Sequence, residues 1–412
     1  MTLSTHVLDA SRGCPAGDVP VELFGLDGGG WRRLGGGTTD PDGRLRDFGE
    51  NAADLAAGTY RLVFDTAAYF AATGQRGFYP EVSVTFDYAD PAAHYHVPLL
   101  LAPFAYSTYR GAEPMGVKLA HNQYGKAETR VVRVYRDADP HELVDYNVSV
   151  ALSGDFDDIH LTGDNANCLT TDATKNTVNA FAKEHGDAAR QPESFGLALA
   201  RHFVEDVPPV ERARIKLEMY PWVRLSSGGS PHPHAFRRDG GYVRTATVTY
   251  ADGRAWVVSG VTDLVLLKTT DSEFHGFYQD RYTTLAPTRD RVMATSVTAQ
   301  WWHDGHEVAW ADSFDAALAT MSETFAGHHS LGLQQTMFEM GAQMIAGQPG
   351  INEVRFSLPN KHHFVIDLSP FGLDNPNEVF HADDRPYGLI EGTIRRDDAP
   401  EPGLAFDPGQ GW

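Results

Sequence analysis

The chain has 412 residues, 42% hydrophobic and 22% charged, which excludes a disordered tail and gives a prior of two or three folded domains. Thirty-four Lys and Arg against 55 Asp and Glu leave a formal charge of −21, a field that repels phosphate backbones and anionic lipid heads and so argues against nucleic-acid and membrane partners. With only Cys14 and Cys168, neither a disulfide framework nor a thiolate metal cluster is available, and a reducing, cytoplasmic setting is expected.

The start, MTLSTHVLDASRGCPAG, shows no basic segment followed by an apolar one, and the apolar run from Val97 to Tyr106 is broken by Pro98 and Pro103. Up to about residue 110 short alternating segments separated by turn clusters predict an all-β domain. Tyr60, Leu62 and Phe64 share one face of a strand, and Val82, Val84 and Phe86 alternate likewise. The glycines at 28–30 and 35–37 and Pro41-Asp42-Gly43 read as turns, not as a phosphate loop, because no strand and helix flank them. Periodicity is lost over 111–122, around Pro114 and Gly116, and a domain boundary falls there. Beyond it strands at 129–136 and 143–153 precede helices at 173–185 and 193–204, and strands at 213–223 and 242–250 follow, the latter turning through Asp252-Gly253. Strands at 261–269 and 291–301, helices at 313–326 and 331–346, and strands at 352–358 and 363–368 repeat that order. Hairpin, helix pair, hairpin thus occurs twice, an α+β layering with helices on one face of antiparallel sheet.

The first domain offers His6, Arg44 and the run His94-Tyr95-His96. On a strand His94 and His96 share a face, a spacing that two zinc ligands would also adopt, although a plain polar face is the commoner use. A neutral imidazole beside a guanidinium suits hydrolysis: one accepts a proton from water, the other holds a carbonyl oxygen or an anionic ring. In the second domain Lys126, Thr171-Asp172 and the histidines near 362 are, taken singly, unremarkable surface or capping residues. Pro-broken His232 and His234 in PHPHAF (231–236) read as a loop, and His328-His329 as polar residues at a helix end or in a linker.

Taken together these strings resemble two families. LSTHVLD, PDGR and HYHVPLLLAPFAYSTYRG, in that order, are similar to 5-hydroxyisourate hydrolase, the transthyretin-like enzyme, over residues 3–112. The resemblance implies a transthyretin-like sandwich over 1–112, His6, Arg44 and His96 as its catalytic trio, and Tyr109 and Arg110 shaping a pocket at a subunit interface. Ala112 stands where that family ends in Ser. NQYGKAETRV, LTTDATKNT, DSEFHGFYQDRYTTLAPTRDR, LQQTM and SLPNKHHF resemble cofactor-free urate oxidase over 119–400. That likeness implies a linker at 113–118 and a tunnelling-fold (T-fold) domain over 119–412, in two tandem units of about 119–260 and 261–400. It further implies Phe274 stacked on the purine, Leu285 beside it, Arg291 and Gln334 at its edge, backbone near Leu333 against the ring, and Thr171 and Asp172 supplied by a neighbouring subunit. Lys126, Thr171 and His362 would relay protons, and Asn360 would hold dioxygen; no cofactor or metal is implied. The two resemblances name consecutive steps: urate, dioxygen and water to 5-hydroxyisourate and hydrogen peroxide, then hydrolysis to 2-oxo-4-hydroxy-4-carboxy-5-ureidoimidazoline, in a homotetramer. An alternative keeps the oxidase and makes the first domain a non-catalytic binding or assembly module; another is a purine-binding protein without turnover.

Overall fold

The computed structural model describes residues 3–49, 52, 55–91, 93–109 and 119–407; the predicted linker at 113–118 and Arg110 and Ala112 lie outside them. The chain divides into two units, Met1–Lys118 and Leu119–Trp412. Among the described residues no helix is long and apolar enough to cross a membrane.

In the first unit strand Leu3–Asp9 is the hub of one sheet, pairing in parallel with Tyr95–His96 and Leu99–Ala102 and antiparallel with Cys14–Pro15 and Arg44–Leu45. The second sheet runs Gly30–Thr38, Pro20–Asp27, Gly58–Phe64, Val82–Tyr88. Their inward faces meet in one core, where Val7, Leu99 and Leu101 face Val21, Leu23, Leu62 and Phe64, each fully buried side chain contributing about 2 kcal/mol. The alternation of Tyr60, Leu62 and Phe64 is thus spent on this sandwich. A short helix, Thr66–Ala72, interrupts the all-β pattern; Asp65 caps it by accepting from the Ala68 amide at 2.9 Å.

The second unit is built on an eight-stranded sheet in which every neighbouring pair is antiparallel. Its order is Tyr124–Tyr135, Glu142–Gly154, Val210–Met219, Val243–Ala251, Arg254–Lys268, Met293–His303, Ile351–Pro359, Leu389–Arg395. Helices Thr171–Glu184 and Pro192–Glu205 cover the first four strands through Val148, Val150, Phe195, Leu199 and Leu217. Helices Trp310–Gly327 and Leu333–Gly347 cover the second four through Val297, Trp301, Phe314 and Met340. The later helix of each pair approaches the sheet at a glycine. A Cβ on Gly196 would lie 2.8 Å from Val248, and one on Gly341 would lie 2.8 Å from Ile394.

Four expectations need correction. The stretch 231–236 is not a loop: Ser230–Arg238 pairs with Trp222–Ser227 in a separate hairpin, which accepts Pro231 and Pro233 because an isolated ribbon leaves half its amides without a ladder partner. Arg254–Lys268 is one strand, so the division at 260/261 falls inside it; Asp263, at φ 61°, forms a bulge between Val261 and Leu264 that imitates a break. The final strand is Leu389–Arg395, which the sequence reading passed over, whereas His362–Val365 leaves the large sheet to pair with Phe380–Asp383. Strand Val210–Met219 stops before Tyr220, short of the predicted 223.

Candidate active sites

In the second unit Phe274, Arg291 and Gln334 come from three segments. Arg291 donates through its backbone to Ser272 O at 3.0 Å and through Nε to Ser272 Oγ at 3.3 Å, and its guanidinium carbon stands 5.1 Å from the centre of the Phe274 ring. Partial burial pulls the Arg291 pKa below its ordinary value, without removing its charge. Phe274 is fixed by reciprocal backbone bonds with Thr288 at 2.8 and 2.9 Å. Leu333 and Gln334 open a helix with no side-chain cap; a Cβ on Gly332, the residue before them, would lie 3.5 Å from Gln334 Oε1 and 3.8 Å from the Phe274 ring. A planar ring, a two-pronged cation, a carboxamide and uncapped helix amides therefore lie near one another, the chemistry for holding a flat anionic heterocycle. Leu285 stands 54% exposed in the intervening loop, while the ring stacked on Phe274 is Phe277, at 5.0 Å and 19°.

Asn360 and His362 reach the same end of the sheet. Asn360 bridges to Thr295, Lys361 N donates to Ala294 O at 2.8 Å, and Asn360 N donates to Gly388 O at 2.8 Å. The His362 ring lies over Phe364, 5.5 Å away and 23° from parallel.

Lys126, Thr171 and Asp172 form a second group. Thr170, not Thr171, caps the helix by accepting from Ala173 N at 3.1 Å, which leaves the Thr171 and Asp172 side chains exposed on its first turn. Lys175 at 2.7 Å lowers the pKa of the Asp172 carboxyl, with a smaller contribution from the charge of Lys126. The two groups do not meet within one chain. Lys126 pairs with Val150 on the edge strand, and that row of partners runs through Ile215, Val248 and Val257 toward His303. Arg291 precedes Met293, at the other end of the His303 strand. Five strand spacings of about 4.8 Å separate the two strands, and ten residues at about 3.3 Å separate the two ends. Hollows of about 270 and 280 Å³ in this unit are lined by Gln300, Arg355 and Glu391 and by Trp302, Asp304 and His306, not by either group.

In the first unit register alone assembles the trio. His6 is the partner of Arg44 across an antiparallel pair, and Ser4, on the same face of the same strand, is the partner of His96. Ser4 Oγ hydrogen-bonds both His94 Nε2 at 2.8 Å and His96 Nδ1 at 2.9 Å, which orients both rings. Gly43, at φ 75°, permits the tight turn; a Cβ there would lie 2.3 Å from Val7 O and 3.3 Å from the His6 ring. Tyr109 is 56% exposed just past strand Ala105–Thr108. Among the described residues no group of three or more His, Cys, Asp or Glu could hold a metal ion.

Comparison with known proteins agrees with this division. The family model described as HIUase/Transthyretin family matches residues 3–111, and the one described as Uricase matches 122–249 and 257–391. The chain belongs to the uricase family. It is 47% identical over 281 residues to the uricase of Arthrobacter globiformis, spanning 68% of this chain and 91% of that protein, and 37% identical over 282 residues to that of Dictyostelium discoideum, spanning 68% and 97%. The crystal structure of the Arthrobacter globiformis uricase superposes with a TM-score of 0.66, covering 69% of this chain and 96% of that one. A Bacillus fastidious uricase at 21% identity and TM-score 0.58 shares the fold. The chain is therefore a transthyretin-like β domain followed by a T-fold uricase domain.

Sequence reading missed several residues around these sites. Ser4, Ser272 and Gly332 carry no signal of their own. His329, read as a helix-end residue, bonds Asp271 at 2.5 Å and Glu273 at 2.9 Å beside Phe274; the alternation of two carboxylates in Asp271-Ser272-Glu273 was the available clue.

Proposed function

We propose that the chain oxidises urate with dioxygen and water to 5-hydroxyisourate and hydrogen peroxide in its second unit, and hydrolyses 5-hydroxyisourate to 2-oxo-4-hydroxy-4-carboxy-5-ureidoimidazoline in its first. The observation that carries the oxidation is Arg291 held by Ser272 over the Phe274 ring, with Gln334 adjacent. Guanidinium and carboxamide grip the ring edge, and the aromatic face supports it. Lys126, through Thr171 and His362, removes the proton that makes urate electron-rich enough to give two electrons to dioxygen held by Asn360. Water then adds to the oxidised ring and peroxide leaves. The diagonal separation of Lys126 from Arg291 supports a site completed by a second copy, and a tetramer accommodates two such pairs. In the first unit His6 or His96 takes a proton from water while Arg44 holds the carbonyl oxygen under attack. That the trio hangs on one strand and its register partners supports a working site over a passive module.

Subunit complementation tests the shared site. Lys126→Ala and Arg291→Ala each abolish oxygen uptake; coexpressed, they recover roughly a quarter of it, because half of random pairs are mixed and each mixed pair keeps one intact site of two. No recovery refutes the shared site. His96→Ala lets 5-hydroxyisourate persist in an ultraviolet trace while urate loss is unchanged; normal clearance refutes its role.

A further inference from the structure

The loop that carries Phe274 and the connection that leads to Gln334 are distant in sequence yet paired in space. Glu273 N donates to Ser330 O at 2.7 Å and Ser330 N donates to Asp271 O at 3.1 Å, a two-bond parallel bridge centred on buried Ser272 and Ser330. Across that bridge lies one side chain, His329. Its Nδ1 meets Asp271 Oδ1 at 2.5 Å and its Nε2 meets Glu273 Oε1 at 2.9 Å. Carboxylates only accept, so a ring bonded to one on each nitrogen is donating from both and is an imidazolium. The ordinary value of the imidazole rises and those of Asp271 and Glu273 fall, each from the same hydrogen bonds.

We propose that His329 is a positioning residue of the urate site, fastening the segment that carries Phe274 to the helix start that carries Gln334. This rests on the reading of that site as the place where urate is oxidised. The argument is one of lever arms. Glu273 immediately precedes the stacking ring, and His329 stands five residues before Gln334, with Ser330 buried and held to Thr336 at 2.8 Å between them. Two backbone bonds alone allow the two segments to rock about Ser272 and Ser330; the doubly bonded ring, on the face opposite Ser272 and Phe274, removes that freedom. Two of the three groups of the clamp are exposed, His329 at 50% and Asp271 at 51%, so it adds little to core stability and its effect falls on ligand geometry, where displacement of about 1 Å costs rate and affinity steeply. Other charges face the clamp. His275 bonds Glu273 at 2.7 Å, Arg289 lies 3.6 Å from Glu273, and Lys268 donates to the carbonyl of His328. Glu273 therefore keeps partial compensation when His329 loses its proton, while Asp271 keeps less.

The test uses the full-length protein, with oxygen uptake for kcat and KM and anaerobic calorimetry for urate binding. His329→Gln, which is neutral, raises KM and the anaerobic Kd for urate about tenfold with kcat changed less than threefold and the melting temperature within two degrees or so. His329→Arg, whose forked N–H donors and fixed charge reach both carboxylates, restores Kd to within about threefold. The wild-type KM rises above the pH at which His329 deprotonates, and the His329→Arg profile stays flat there. Unchanged Kd in His329→Gln, or equal loss in the Gln and Arg variants, overturns the proposal. Wild-type protein that binds urate anaerobically without consuming oxygen overturns the oxidase reading instead, and the clamp is still decided by the binding constants.

Discussion

His303 lies inside the seam between the two halves of the large sheet, 2% exposed, with its Nε2 3.1 Å from Ser259 Oγ and its ring edge-on to Trp310 at 5.0 Å. Ser259 donates in turn to Glu193 Oε1 at 2.6 Å, so its oxygen accepts from His303 and the ring is the neutral Nε2–H tautomer. Burial, and then the nearby Arg244 charge, push the His303 pKa down from 6.5 to about 4. Between those values the unfolded chain holds a proton that the folded chain does not, so stability from this group is complete above about 6.5 and is lost as pH falls toward 4. At about 1.4 kcal/mol per tenfold of proton affinity the loss comes to roughly 3 kcal/mol. His303→Gln retains a donor toward Ser259 and removes the titration. Urea unfolding at fixed protein concentration, at pH 7.5 and in steps down to 4, gives the difference in slope between the two proteins; Glu193 and the surface carboxylates are common to both and cancel. The wild type loses about 3 kcal/mol more than the variant over this range. Parallel pH profiles would show that His303 is protonated in the fold, and would refute the network as drawn.

Two further perturbations follow from buried geometry. Glu193 is fully buried against Arg244 at 2.8 Å, so Glu193→Leu strands a buried guanidinium and costs about 3–5 kcal/mol, whereas Glu193→Leu with Arg244→Met returns most of it; the urea midpoints decide, and equal midpoints for the single and double variants contradict the pairing. Gly43→Ala places a methyl 2.3 Å from Val7 O in a left-handed turn, which parts Arg44 from His6. Hydrolysis of 5-hydroxyisourate falls by tenfold or more, and oxygen uptake with urate stays as in the wild type; a normal hydrolysis rate contradicts the register argument.

Much of this architecture is written in local pattern. Val144, Tyr146, Val148, Val150 and Leu152 alternate because one face of their strand is buried, and all five are buried. Both helix pairs announce themselves by apolar spacing, and the first pair also by Thr170 and Pro192 at its helix starts. What stayed hidden depends on partners remote in sequence. Gly260 lies inside strand Arg254–Lys268, where Thr245 and the Ala299 carbonyl approach too closely for any Cβ, at 2.5 and 2.7 Å. The hairpin at Trp222–Arg238 is disguised by its prolines and anchored by Asp145, which receives Arg130, Arg238 and Trp222 from three directions. Of the site, the residue types were legible, but the placement of Lys126 and Arg291 at opposite corners follows from register across five strand pairings, and the His329 clamp joins positions 56 and 58 residues apart.

The seam itself has a meaning for how the protein is made. Only Asp252 and Gly253, both left-handed, separate strand Val243–Ala251 from Arg254–Lys268, so the second half is seeded by a local hairpin and not by a search through a linker. A half-built sheet leaving the ribosome presents the strand ending at Ala251 as a bare edge that any other nascent chain could join. The 15 residues that cover it come next off the ribosome, and at about 5–20 residues per second that edge is open for only about one to three seconds. A duplicated fold joined this way guards its most adhesive intermediate by the order in which it is synthesised.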